Sequence, residues 1–235
     1  QACDALRNVC AMALSRAIAA LSGATSRRRG TSHGVRCAHA AVENMTASHD
    51  ESLLAVGPID GIIRVLDART LEIRYSLIGH GSEVTDLRFI DAGRHLLSAG
   101  RNGEVRRWLL ADPPPNPMVL RGHTHLIHGL AVGEAGNFIA TGSWDASVRL
   151  FDFTSGTPLA SMPADTFVQA LTLSPDERLI ATREFGGVVS LYDVAGRTRL
   201  ARLDRPMRLL DMPAFDADSR RLLTDIDPTA RTATW

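Results

Sequence analysis

Apolar and polar residues alternate in short runs along most of this chain. Between residues 123 and 163 the runs at 127–132, 138–142 and 147–151 place an apolar side chain at every second position, and a fourth run lies at 158–162. A period of two marks a strand with one face buried, and the Gly, Asp, Asn and Pro residues between the runs are turn formers. Four such strands joined by short turns predict one antiparallel sheet.

The same set returns about every 42 residues. Leu66-Asp67, Trp108-Leu109, Phe151-Asp152, Tyr192-Asp193 and Trp235 occupy one place in the unit, at spacings of 42, 43, 41 and 43. His80 precedes Trp108 by 28 positions and His123 precedes Phe151 by 28, while Ser98 and Thr141 each stand 18 after the histidine. Turn formers recur at 91–93, 174–177 and 216–219. A period of this length means stacked units, so the expectation is an all-β propeller of four-stranded antiparallel blades. The expected blades are 40–78, 80–121, 123–162, 165–203 and an incomplete 207–235.

These residues resemble the WD-repeat family, whose unit carries a Gly-His pair, a Ser or Thr, an Asp turn and a closing Trp-Asp. The resemblance covers residues 40–235 and implies a structural tetrad of hydrogen-bonded side chains. In the third unit the tetrad positions hold His123, Thr141, Asp145 and Phe151; in the second they hold His80, Ser98, Asn102 and Trp108. Phe151 has no N–H, so it can pack without completing the network. Asn102 can accept from a histidine without charge assistance. The other units depart further: Val56 and Leu66 replace the hydroxyl and the aromatic in the first, and Gly186 replaces the turn acid in the fourth. That drift leads us to expect packing, rather than the tetrad, to carry most of the stability. The family most often builds seven blades, more than residues 40–235 supply, so the chain reads as part of a longer, multidomain bacterial protein; a five-bladed ring is the alternative.

Residues 5–21 predict a helix with a broad apolar face, within a helical segment at 1–24, and 25–39 reads as an Arg-rich linker. Packing of that helix on an upstream domain or the propeller is expected; lying on a membrane surface is the alternative. The chain has no net charge, which argues against an obligate nucleic-acid or anionic-membrane partner. Every basic side chain is Arg, which we read as coding bias. Cys3, Cys10 and Cys37 are too few and too badly spaced for a disulfide framework or zinc site, and they point to a reducing, cytoplasmic setting.

Candidate chemistry is sparse. His123, His125 and His128 cluster, but the repeat accounts for His123 and no Cys or acid stands at ligand spacing from the others. Asp225 and Asp227 beside Pro228 read as a solvated loop. No nucleophile elbow, phosphate loop or zinc-protease motif is present. We therefore expect no catalytic residues, metal or cofactor in this segment. The resemblance implies instead a loop face built from the residue before each turn acid: Ile59, Arg101, Trp144 and Phe185. Trp and Arg are enriched at binding hot spots, so a protein or peptide ligand centred on Trp144 is expected; folding of Trp144 and Phe185 over their own turns is the competing account. An enzymatic or ligand-binding channel is the alternative function. It would need inward polar groups, whereas the inner positions Val84, Ile127, Val168 and Leu210 are apolar. Self-association of an open ring and a drifting pseudogene product are further alternatives.

Overall fold

The computed structural model describes residues 42–203 apart from 134 and 136, together with 213–223 and 232–234. The expected helix at 1–24, the linker, the three cysteines, Leu210, Asp225, Asp227 and Trp235 lie outside the described residues.

Strands pair in chain order, each antiparallel to its predecessor within a sheet. The first sheet is β1 (Val42–Ala47), β2 (Leu53–Pro58), β3 (Ile62–Asp67) and β4 (Ile73–Ile78). The second is β5 (Val84–Ile90), β6 (His95–Gly100), β7 (Val105–Leu109) and β8 (Met118–Leu120). The third is β9 (Ile127–Gly133), β10 (Phe138–Ser143), β11 (Ser147–Asp152) and β12 (Pro158–Pro163), within a residue of the bounds that alternation predicts. The fourth is β13 (Val168–Leu173), β14 (Leu179–Glu184), β15 (Val189–Asp193) and β16 (Thr198–Leu203). Three shorter strands, β17 (Ala214–Phe215), β18 (Arg221–Leu223) and β19 (Thr232–Thr234), make the last.

The core lies between sheets. Ala55, Ile63 and Leu77 of the first sheet pack with Val84, Leu87 and Trp108 of the second. Leu97, Ala99 and Leu120 of the second pack with Ile127, Ile139 and Phe151 of the third, and Ala140, Val148 and Met162 of the third with Val168, Ile180 and Tyr192 of the fourth. A sheet with one apolar face must bury it, and here consecutive sheets bury their faces against one another. Small residues set the spacing: a Cβ at Gly57 would come within 2.9 Å of Val84, and one at Gly142 within 2.5 Å of Val168.

That packing corrects one expectation. Val84, Ile127 and Val168 are fully buried between sheets, so their apolar character says nothing about a channel lining. The innermost strands β5, β9 and β13 each carry a register shift near the start, leaving Thr85, His128 and Gln169 without a partner residue in the register. A bulge re-aims the side chains around it. The partly or fully exposed residues of these strands include Thr85, Asp86, His128 and Gln169, which are polar.

Antiparallel order fixes two ends. The β1–β2 and β3–β4 connections and their counterparts share one end of the molecule. The turns between second and third strands, such as β10–β11, share the other end with the links from one sheet to the next.

Candidate functional site

The end with the β10–β11 turn is held together by buried polar groups. In the third sheet the His123 ring lies 2.7 Å through Nε2 from Thr141 Oγ1 and 2.8 Å through Nδ1 from Asp145 Oδ2. Asp145 also accepts from Thr124 N at 3.1 Å and Ser147 Oγ at 2.6 Å. Burial pushes its carboxyl up, but the hydrogen bonds from His123 and Ser147 and the imidazole's charge outweigh that and hold it below the ordinary carboxylate range. Hydroxyl, imidazole and carboxylate in series have the order of a hydrolase triad. Thr141 is fully buried, however, so no substrate carbonyl can reach it. The series is a clamp joining the incoming loop, β10 and the turn. Phe151 closes it by packing alone, edge-on to His123 with ring centroids 6.5 Å apart.

The second sheet departs from the expected tetrad. Ser98 Oγ meets His80 Nε2 at 2.7 Å and accepts from Trp108 Nε1 at 2.8 Å. Asn102 does not join them: its Oδ1 accepts from Glu104 N at 3.2 Å, and the buried His80 Nδ1 has no partner. Burial, aided by the Arg106 charge, pushes the His80 pKa down to about 4, so the ring is neutral near pH 7. Glu104 takes the charge contacts here, with Arg106 at 2.7 Å and Arg121.

Glu184 was not singled out by sequence reasoning. The fourth unit lacks both the histidine and the turn acid, yet the fully buried Glu184 accepts from Asp165 N (3.0 Å), Thr166 N (3.1 Å) and Ser190 Oγ (2.6 Å). It ties the incoming loop to the third strand, as Asp145 does one sheet earlier, but from the end of the second strand. No repeat spacing marks Glu184 as the acid of this unit.

Above these clamps lies an aromatic cluster. Trp144 stacks on Phe167 with centroids 5.6 Å apart and planes 14° from parallel, and also meets His125 at 6.0 Å and His128 at 6.4 Å. Phe167 meets Phe185 edge-on at 6.2 Å. Trp144 is half-buried, whereas Phe167 and Phe185 keep 46% and 57% of their surface exposed. Trp144 and Phe185 are thus brought together through Phe167, a residue sequence reasoning did not pick out. Its place was readable: Phe185 N donates to Phe167 O at 2.8 Å, as Trp144 N does to Leu126 O and Arg101 N to Glu83 O, both at 2.9 Å. The residue just before each innermost strand therefore faces the residue before each turn acid. Arg101 lies with Glu83 at 3.1 Å rather than in the ring stack, and Ile59 is 48% exposed. Among the described residues no group of three His, Cys, Asp or Glu side chains is placed to hold a metal, and no helix is long and apolar enough to cross a membrane.

Four-stranded antiparallel sheets in series, packed face to face and clamped by histidine, hydroxyl and acid, define a propeller of WD-repeat type. The WD domain, G-beta repeat family matches residues 71–108 and 116–152, each match running from the outermost strand of one sheet through three strands of the next. The chain carries WD repeats in a β-propeller fold. It is 31% identical over 151 residues to WD repeat-containing protein 37 of Xenopus laevis, a match covering 63% of this chain and 30% of that protein. Pre-mRNA-processing factor 19 homolog 2 of Arabidopsis thaliana is 24% identical over 168 residues, covering 68% and 32%. The chain thus spans about a third of the length of these relatives. Among solved structures, a chain in the crystal structure of the mitotic checkpoint complex shares the fold with a TM-score of 0.71 at 22% identity, covering 78% of this chain and 57% of that one.

Proposed function

We propose that this propeller is a non-catalytic module that binds a protein or peptide on its turn face, in a cytoplasmic multidomain protein. The observation that carries the reading is the cluster of Trp144, Phe167 and Phe185, which leaves two phenylalanine rings largely open to water beside a half-buried tryptophan. Adjoining exposed aromatic surface costs hydration free energy that a partner recovers by covering it. The Arg101–Glu83 pair beside it would supply a polar rim. Similarity to a chain solved within the mitotic checkpoint complex and to a pre-mRNA-processing factor homolog supports a role in assembly.

The test is capture of partners from source cells by the intact protein, with Phe185→Ala and Trp144→Ala variants compared in parallel. Phe185 touches Phe167 edge-on and is mostly exposed, so its loss should weaken capture at least tenfold at unchanged melting temperature. An unchanged set of partners from both folded variants would sink the reading.

A ligand site at the inner strands is the second reading, and Asp86 favours it. Burial raises its carboxyl above the ordinary value against the opposing charges of Arg88 and His128, and perturbed acids on partly exposed strands mark candidate sites.

A further inference from the structure

The connection between third and outermost strands follows one design in three sheets and breaks it in the second. At the end of the third strand stand Asp67, Asp152 and Asp193, each folding the following turn onto its carboxylate. Asp67 accepts from Arg69 N and Thr70 N at 3.0 and 2.9 Å, Asp152 from Thr154 N and Ser155 N at 3.1 and 2.7 Å, and Asp193 from Gly196 N at 2.7 Å. Those turns are 68–72, 153–157 and 194–197, of five, five and four residues. In the second sheet Leu109 holds the place of the acid, and the connection runs eight residues, 110–117, through Pro113-Pro114-Pro115-Asn116-Pro117.

The insertion has a definite chemistry. A tight turn requires none of it, because three neighbouring sheets close the same gap with fewer residues. Successive prolines fix φ near −65° and carry no N–H, which favours the extended polyproline II helix with three residues per turn. That period puts Pro114 and Pro117 on one edge. Pro113, Pro114, Pro115 and Asn116 are exposed, and residues 114–117 carry no turn or strand pairing. Both ends of the segment are anchored: Leu110 N donates to Arg94 O at 2.9 Å, and Met118 packs against the core between the second and third sheets. A proline-rich segment held at both ends loses little entropy when bound.

We infer that residues 114–117 are a docking ligand for a protein module whose aromatic-lined groove recognises polyproline II segments. The site lies at the end of the molecule opposite Trp144, so it takes a partner independent of the one proposed for the turn face.

The experiment titrates the intact protein against a panel of isolated SH3, WW and EVH1 domains, following the tryptophan fluorescence of each groove. The expected result is saturable binding by at least one domain, weakened at least tenfold by Pro114→Ala/Pro117→Ala and kept by Asp112→Ala, which lies outside the segment, with all melting temperatures alike. Trp144→Ala should leave this binding intact, which separates failure here from failure of the turn-face reading. No binding by any domain at about 1 mM, or binding that survives loss of both prolines, overturns the proposal. Should the proline variant melt early, replacing residues 110–117 by the five-residue turn 153–157 of the third sheet must abolish binding in a folded protein, and persistence there overturns it equally.

Discussion

At the scale of single residues, the two histidine clamps differ by one carboxylate, and that difference is testable. His123 has Asp145 at Nδ1; His80 has nothing there, although Asn102 Oδ1 and His80 Nδ1 both lie 2.7 Å from where a Cβ of Gly100 would project. An aspartate at 102 keeps an acceptor for Glu104 N and offers a charged one to the imidazole. Asn102→Asp should therefore raise the His80 pKa from about 4 toward the ordinary histidine range, read by NMR titration of the ring. A value unmoved by the substitution would mean that Glu104 already sets the local field. Glu184 gives a second residue-scale prediction. Glu184→Ala strands two backbone N–H groups and a hydroxyl, which should cost about 2–4 kcal/mol in urea unfolding. A loss under about 0.5 kcal/mol, the ordinary size for a surface change, would mean that packing alone holds the fourth sheet, as the drift of its tetrad led us to expect.

At the scale of strands and sheets, the small residues of the second strands decide how closely sheets approach. Gly142→Ala drives a Cβ to 2.5 Å from Val168 and should cost about 1–3 kcal/mol by overpacking, whereas Gly81→Ala, with nothing within 4 Å, should be neutral. Equal thermal melts for the two would show that the sheets slide apart at no cost. This packing is also why the fold was legible. Every sheet meets the next through the same register, so the demand for a buried aromatic or leucine at Leu66, Trp108, Phe151 and Tyr192 recurs at one spacing and writes itself into the chain. What lies off that register was not legible. The bulges at Thr85, His128 and Gln169 break strict alternation, so Val84, Ile127 and Val168 were assigned to the wrong face. The place of Phe167 recurs with Glu83 and Leu126, but its aromatic character does not, so the repeat does not mark it. Glu184 does the work of a turn acid from a strand position, and Asn102 bonds locally instead of reaching its histidine; both choices depend on three-dimensional neighbours rather than on spacing.

At the scale of the whole molecule, these buried groups predict how stability depends on pH. His80 has a folded pKa of about 4 against an unfolded value near 6.5, so the unfolded chain takes up the proton first as pH falls. Its contribution is complete above pH ~6.5 and is lost progressively down to pH ~4, on the order of 3 kcal/mol in all. Asp145 and Glu104 extend the loss to lower pH. Both carboxyls are pushed up by burial but held below their ordinary values, by hydrogen bonds from His123 and Ser147 in one case and by Arg106 and Arg121 in the other. Their stabilising effect is present above the unfolded carboxylate range and disappears as pH drops through the folded one. Asp86 acts oppositely: burial raises its carboxyl, so it favours the folded state at low pH and weakens it as pH rises through that value. One acid working against a histidine and two acids leaves a net loss, and urea midpoints should fall steadily from pH 7 to pH 4. The histidine's share can be isolated. In His80→Gln, which titrates nothing at that position, the fall between pH 6.5 and pH 4.5 should shrink to less than half of the parent's, and an undiminished slope would place the titrating group elsewhere in the propeller.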